Sequence, residues 1–446
     1  MKRPFAPRLA TFSAVVVLGL LFAAPTAVAK QESALDPSSI HPMVFVHGGT
    51  GSGAQFESQK MRFTENGYPA DYVRAFEYDS SFSVESEADV QTRLDSFIAQ
   101  VKQETGRNQI DLLGHSLGTA VSQTYLNSSP AHAANVAHYV NIDGRQADSP
   151  PGGVPTLAIW AGRGTPGRSI GGAINVTVHN QTHVQSATSA ESFAEMFRFF
   201  TGRAPDTTDI VAEHGKITIA GRALLFPQNV GVPAGTTLTI WRVKASDGQR
   251  IAHPVATPAL ASDGSWGPVE VQSGKRYEFV LEQQGRFHHF FYEPFRRSND
   301  LIRLLTNVPG TSFDLILSRS PNHVDLIMVR YKELWGDQGS ETDVLTVNGT
   351  NVINAATSPI SHRTNAMFAF DQGSDGASDV NSPIPVFFGL PFLSAVDLFI
   401  PAASPPTGTV QVALTSRGSG PARKVSFPNY PSSDNTVSVQ LNDFEQ

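Results

Sequence analysis

The chain has 446 residues, enough for two or three domains, and a formal net charge of −7 that leaves no basic footprint for nucleic acid. Charged residues make up 16%, while 37 Gly, 30 Pro and 28 Phe point to many turns and a β-rich portion. There is no cysteine, which excludes disulfides and thiolate metal sites, so packing alone must hold the fold.

The N-terminus reads as a targeting segment. Lys2, Arg3 and Arg8 precede an apolar stretch from Ala14 to Ala24, and Ala27-Val28-Ala29 offers a small-residue cleavage site. Residues 1–29 are therefore expected to be a signal peptide, with a secreted mature chain beginning near Lys30.

From about Pro42 to Gly202, short apolar runs alternate with amphipathic segments. Met43 to Val46, Ile110 to Leu113, Ala137 to Ile142, Pro155 to Ala161 and Ile174 to His179 read as strands. Glu85 to Glu104 reads as a helix with Ala88, Leu94, Phe97, Ile98 and Val101 on one side, and Ser189 to Phe200 as a closing helix. This alternation predicts an α/β domain over 30–203, a mostly parallel sheet with helices on both faces. Residues 204–214 read as a linker. Beyond it, Lys216 to Ala223, Thr236 to Arg242 and Arg276 to Leu281 alternate with period two between Gly and Pro turns, the texture of an all-β sandwich or barrel. We expect a β module over 215–285 and a second β-rich region over 286–446, as two modules or one composite domain.

Gly114-His115-Ser116-Leu117-Gly118 is a G-x-S-x-G pentapeptide set between a strand and a helix start. That setting forces Ser116 into a sharp turn with its hydroxyl exposed above the sheet. A serine hydroxyl needs a base, expected downstream on a loop after a late strand. His179 and His183 are the candidates, and His183, on the loop beyond the strand end, is favoured. No Asp or Glu occurs from Ser149 through His183, so an acid after the strand 156–161 is excluded. Asp143 and Asp148 remain, with Asp143, directly after a strand, favoured to hold the imidazole. Two backbone N–H groups must meet the developing oxyanion. One is expected from Leu117, the other from the glycine loop His47-Gly48-Gly49-Thr50-Gly51, with Gly49 favoured over Thr50.

His47-Gly48-Gly49, Gly114 to Gly118 and Gln181-Thr182-His183-Val184-Gln185 together resemble bacterial and archaeal secreted lipases of the α/β-hydrolase fold. The likeness is specific over about 42–203 and loose beyond it. It implies carboxylic-ester hydrolysis by Ser116, Asp143 and His183, with Gly49 and Leu117 as oxyanion donors, and a β-rich lipid-binding C-terminal part. The acid after the earlier strand departs from the minimal Bacillus-type lipases. Triacylglycerol is the expected substrate; a short-chain esterase, a polyester hydrolase and an inert surface- or lipid-binding protein are the alternatives. Neither cofactor nor metal is implied, and Asp371 to Asp379 reads as a turn.

Two segments are expected to shield the site. Ser52 to Pro69 carries Phe56, Met61 and Phe63. In the C-terminal half, Ile384 to Leu393 and Phe287 to Phe295 are apolar enough to build cores or to dock on lipid.

Overall fold

A computed structural model describes residue 1 and residues 35–444 of the chain. The expected signal peptide lies outside the described residues. Six strands make the first sheet: β1 (Met43–Val46), β2 (Val73–Phe76), β3 (Ile110–His115), β4 (Val136–Ile142), β5 (Thr156–Ala161) and β6 (Ile174–Val178). Their order is β2-β1-β3-β4-β5-β6 and every pairing is parallel. Successive side chains of β1 enter opposite cores, Met43 and Phe45 one, Val44 and Val46 the other. A strand buried on both faces reads as an unbroken apolar run, as this one does. Helices α2 (Glu87–Thr105) and α3 (Leu117–Ser128) cover one face; α1 (Glu57–Glu65) and α6 (Ala190–Thr201) cover the other. Two short helices, α4 (Pro130–Ala134) and α5 (Gln185–Thr188), complete the set.

Helix α2 begins at a capping box between Ser86 and Asp89 and stops at Gly106 in the left-handed region. Its buried stripe is Val90, Leu94, Ile98 and Val101, while Ala88, expected on that side, is exposed.

From β1 the chain steps to β2 on one side, then crosses to β3 on the other. The loops leaving β1 and β3 at their carboxyl ends therefore flank a topological switch point, where open parallel sheets bind ligands. His47 to Gly51 leaves β1, and Ser116 follows β3.

The segment Ser52 to Pro69, expected to help shield the site, holds α1. Phe56 and Phe63 are fully buried in the core and Met61 nearly so. Polar residues of α1 are buried too. Lys60 Nζ donates to Val73 O (2.8 Å) and pairs with Asp300 (2.5 Å), and Arg62 Nη1 donates to Thr188 O (2.7 Å). Segment 204–214 carries no regular element but is pinned to α1. Asp206 and Thr207 donate backbone N–H groups to Asn66 Oδ1, and Thr208 O accepts from Arg62 Nε.

The remaining strands form three sheets. β7 (Lys216–Leu225), β8 (Val230–Gly231), β10 (Ser265–Gln272) and β13 (Asn299–Thr306) make one. The largest, in order β18-β19-β17-β14-β22-β12-β11-β9, is built from β9 (Thr237–Val243), β11 (Arg276–Gln283), β12 (Arg286–Tyr292), β14 (Leu326–Arg330), β17 (Ala366–Phe370), β18 (Asp379–Pro383), β19 (Leu393–Asp397) and β22 (Asn435–Leu441). The third holds β15 (Val344–Val347), β16 (Thr350–Asn351), β20 (Thr409–Thr415) and β21 (Arg423–Pro428). The large sheet packs on the β7 sheet through Ile219, Ile240, Phe279 and Phe290. It packs on the third through Met328, Leu345, Val412 and Val437, and adjacent residues of β12, Phe290 and Phe291, enter the two different cores.

Gly285, where a second module was expected to begin, sits in a two-residue hairpin turn. Gln284 (φ 55°) and Gly285 (φ 75°) both take positive φ, and β11 and β12 pair directly across them. The large sheet runs through that position. Phe290, Phe291, Tyr292 and Phe295 are core residues, and so are Ile384, Phe387 and Leu393. At Asp371 a turn forms, its carboxylate accepting from the N–H groups of Asp375 and Gly376.

Candidate active site

The turn at Ser116 is strained. Ser116 has φ 53° and ψ −120°, a conformation non-glycine residues avoid, between the end of β3 and the first turn of α3. The flanking glycines make it possible. A Cβ on Gly118 would lie 2.2 Å from Val46 O, and one on Gly114 would lie 2.7 Å from Gly118 O. Strand β1, helix α3 and the turn are thus in backbone contact, which leaves the Ser116 hydroxyl at the mouth of the switch point.

The structure brings Ser116, His183 and Asp143 together. His183 Nε2 lies 2.8 Å from Ser116 Oγ, and His183 Nδ1 lies 2.6 Å from Asp143 Oδ2. His179 and Asp148, the other candidates, are exposed. Asp143 reaches the imidazole from the earlier strand because β4 directly neighbours β3. Its backbone takes φ 43°, and its N–H donates to Ile159 O on β5 (2.7 Å). The second carboxylate oxygen, Oδ1, accepts from Ala161 N (3.0 Å) and Arg168 Nη1 (2.8 Å). Burial works to raise the Asp143 pKa; the hydrogen bond and charge of His183, the Ala161 N–H and Arg168 outweigh it and hold Asp143 below its ordinary value.

His115 is the residue that sequence reasoning passed over. It is buried, its Nε2 lies 3.0 Å from the His183 carbonyl, and its Nδ1 lies 2.9 Å from Gln55 Nε2. A carbonyl only accepts, so Nε2 carries the proton and Nδ1 accepts from Gln55. Burial, with the neighbouring His183, pushes its pKa down to about 3, so the ring is neutral and fixes the backbone of His183. The only signal in the sequence was its place inside the pentapeptide.

The glycine loop is fixed through one carbonyl. His47 is fully buried and its burial lowers its pKa, against the pull of Glu77. His47 Nδ1 donates to Gly48 O (2.8 Å), and Gly51 N donates to the same oxygen (3.2 Å). In a trans peptide the next N–H points opposite to the carbonyl, so holding Gly48 O aims the Gly49 N–H the other way. Thr50 N–H donates to Ser80 Oγ (2.9 Å). Leu117 N–H sits in the first turn of α3, where amides lack helical partners.

Ser116 and His183 line a cavity together with Gly49, Tyr331, Asn365 and Phe392. The last three come from the β-rich half, and Gln55, from the segment Ser52 to Pro69, lines the same cavity. The Phe392 ring lies nearly parallel to that of His183, centroids 6.2 Å apart. An adjoining cavity shares Thr50, Tyr331, Asn365 and Phe392. Its further walls join apolar Phe226, Leu305, Ile327, Val329, Phe368 and Leu393 to polar His288, Arg303 and Gln440.

Comparison with known families follows this division. The class 2 lipase model matches residues 40–138, the lipase C-terminal domain model matches 215–309, and a further C-terminal domain model matches 313–445. A search of curated proteins finds no match. Among solved structures, Bacillus licheniformis lipase BlEst2 in its propeptide form is similar over 88% of this chain and 94% of its own, at 10% identity and a TM-score of 0.30. Aspergillus fumigatus lipase B is similar over 38% of this chain, at 13% identity and TM-score 0.30; the match spans 54% of that lipase. Phospholipase PlaB from Legionella pneumophila is similar over 63% of this chain and 98% of its own, at 9% identity and TM-score 0.30. The chain thus carries a region similar to the class 2 lipases in its α/β part and a region similar to the lipase C-terminal domain in its β-rich part.

Proposed function

We propose that this chain is a secreted serine lipase whose nucleophile is Ser116, base His183 and acid Asp143. The observation that carries the reading is the unbroken hydrogen-bonded line Ser116 Oγ, His183 Nε2, His183 Nδ1, Asp143 Oδ2, at 2.8 and 2.6 Å. Distances of that size are what a general base needs to take the serine proton.

The reaction follows from the geometry. His183 Nε2 takes the Ser116 proton as Oγ bonds to the ester carbonyl carbon. The carbonyl oxygen gains the negative charge and receives the N–H groups of Gly49 and Leu117. Asp143 steadies the imidazolium across Nδ1. The protonated Nε2 then gives its proton to the departing alkoxide, leaving an acyl-Ser116. Water, deprotonated by His183, attacks that acyl carbon, and Ser116 leaves with the proton returned.

The apolar walls of the adjoining cavity support long-chain acyl groups over acetate or butyrate, since each buried methylene contributes about 0.8 kcal/mol. A fluorophosphonate probe tests the reading. The full chain should label at Ser116, Ser116→Ala should not label, and long-chain p-nitrophenyl esters should be preferred. A wild-type chain inert to the probe sinks the assignment; a preference for acetate or butyrate reduces it to a short-chain esterase.

A further inference from the structure

Two mobile parts of a serine hydrolase site must be held still: the loop bearing the base and the loop bearing the oxyanion donor. In this chain both are gripped from outside the α/β domain. The inference below rests on the assignment of Ser116 and His183 just given.

The His183 loop is held by Glu333, fully buried, three residues beyond β14. Its Oε1 accepts the Val184 N–H (2.5 Å), and its Oε2 accepts the Gln185 N–H (2.9 Å) and the Thr182 hydroxyl (2.6 Å). Residues on both sides of His183 are thus bound to one carboxylate. Glu333 is itself anchored. Its backbone carbonyl accepts from Arg330 Nη2 (2.7 Å) and Arg417 Nη1 (2.9 Å), and both arginines pair with buried Asp343. Arg417 also lies over the Trp335 ring at 3.4 Å and donates to Gln185 Oε1 (3.2 Å). A carboxylate accepting two backbone N–H groups is a charge-assisted, directional clamp.

The glycine loop is held by Asn229, which follows β7. Its Nδ2 donates to Gly51 O (2.7 Å) and lies 3.2 Å from His47 Nε2. His47 Nδ1 holds Gly48 O, and that carbonyl sets the direction of the Gly49 N–H. Arg303 of β13 adds a second tie. Its Nε bonds Glu77 Oε1 (2.6 Å), the same oxygen that accepts the Gly53 N–H (2.9 Å).

We propose that Glu333 and Asn229 are positioning residues for the ester hydrolysis, so that the β-rich half completes the catalytic apparatus rather than only delivering it to lipid. Neither touches substrate; each acts through a loop. A half that served only as a lipid tether would leave turnover of a dissolved ester unchanged when these side chains are altered.

The test uses the full-length protein and dissolved p-nitrophenyl butyrate below its solubility limit, so no interface contributes. Glu333→Gln keeps the shape but turns one N–H donor toward the Val184 or Gln185 amide. We expect kcat to fall about 100-fold, the scale of a misplaced reacting group, with KM within about threefold of wild type. Fluorophosphonate labelling of Ser116 should slow in parallel. Asn229→Ala should lower kcat about tenfold, with the same unchanged KM. Glu282→Gln, exposed in the same half, should leave both constants as they are. Near-ultraviolet circular dichroism checks folding; if Glu333→Gln does not fold, Asn229→Ala and Thr182→Val, each removing one polar group, carry the comparison. Folded variants with wild-type kcat on the dissolved ester overturn the proposal. A wild-type chain that fails to label at Ser116 overturns the site assignment, and this inference with it.

Discussion

Arg168 Nη1 lies 2.8 Å from Asp143 Oδ1, on the oxygen that His183 does not use. The guanidinium also donates to the Gly144 carbonyl and lies 4.5 Å above the Trp160 ring. The loop after β5 thus supplies a cation that orients Asp143 at the end of β4. It fixes the carboxylate rotamer and places a positive charge near the imidazole.

Arg168→Gln should therefore cost orientation of Asp143 and lower kcat about tenfold. Steady-state rates on a dissolved ester measure it, and a wild-type kcat in the folded variant would contradict the arrangement.

Asp143→Asn keeps the shape of the acid but removes its charge and favours the wrong imidazole tautomer. We expect kcat to fall about 10⁴-fold, with Asp148→Asn near wild type. Steady-state rates on the same ester separate the two carboxylates, and equal losses in both would count against Asp143.

Gly118→Ala tests the elbow as packing. The new methyl would sit 2.2 Å from Val46 O and 2.5 Å from His47 O, backbone atoms that cannot swing aside. A loss of about 3 kcal/mol or more is expected, at the upper end for overpacking. Gly49→Ala is the control, since its methyl would meet nothing closer than Leu117 Cδ2 at 3.9 Å. Urea midpoints compare them; equal stability in both would refute the packing argument.

The site was readable where its chemistry is local. Ser116 sits in a pentapeptide, and Asp143 emerged because no carboxylate occupies 149–183. His183 stood on a loop after a strand. Helix α1 was not readable as core because its buried Lys60 and Arg62 look solvent-facing; each is buried because it reaches a backbone carbonyl. Strand β2 was missed for a similar reason, with Arg74 in a four-residue edge strand pairing outward to Glu104. Glu333 gave no sign, as its partners lie about 150 residues upstream and spacing along the chain says nothing of them. Gly285 was misleading because a hairpin turn and a boundary share the same residue types.

His115 makes stability pH-dependent. Its folded pKa is depressed to about 3, below the ordinary 6.5, so between those values the unfolded chain holds a proton that the folded chain does not. Stability from this group is full above pH 6.5 and falls as pH drops, by up to about 1.4 kcal/mol per unit. His115→Gln should flatten that part of the curve. Buried His288, pushed down to about 3 as well, should preserve a residual slope. Urea unfolding at a series of pH values measures it; an unchanged slope would place the sensitivity elsewhere.

Val329→Trp should fill part of the chamber beside the site. The long-chain preference should then shift toward butyrate while the butyrate rate holds, because the added ring excludes methylenes but leaves Ser116 untouched. A chain-length series of p-nitrophenyl esters gives the answer, and an unaltered profile would mean the acyl group lies elsewhere.

Strand β22 lies between β12 and β14 and runs parallel to both. Residues 435–441 are thus the common seam of a sheet whose other strands were all made earlier. Without them, no strand of this sheet would join β9, β11 and β12 to β14, β17 and β19. Glu333, just past β14, binds the Val184 and Gln185 amides, so its hold on the His183 loop hangs from a strand that residues 435–441 tie to β12.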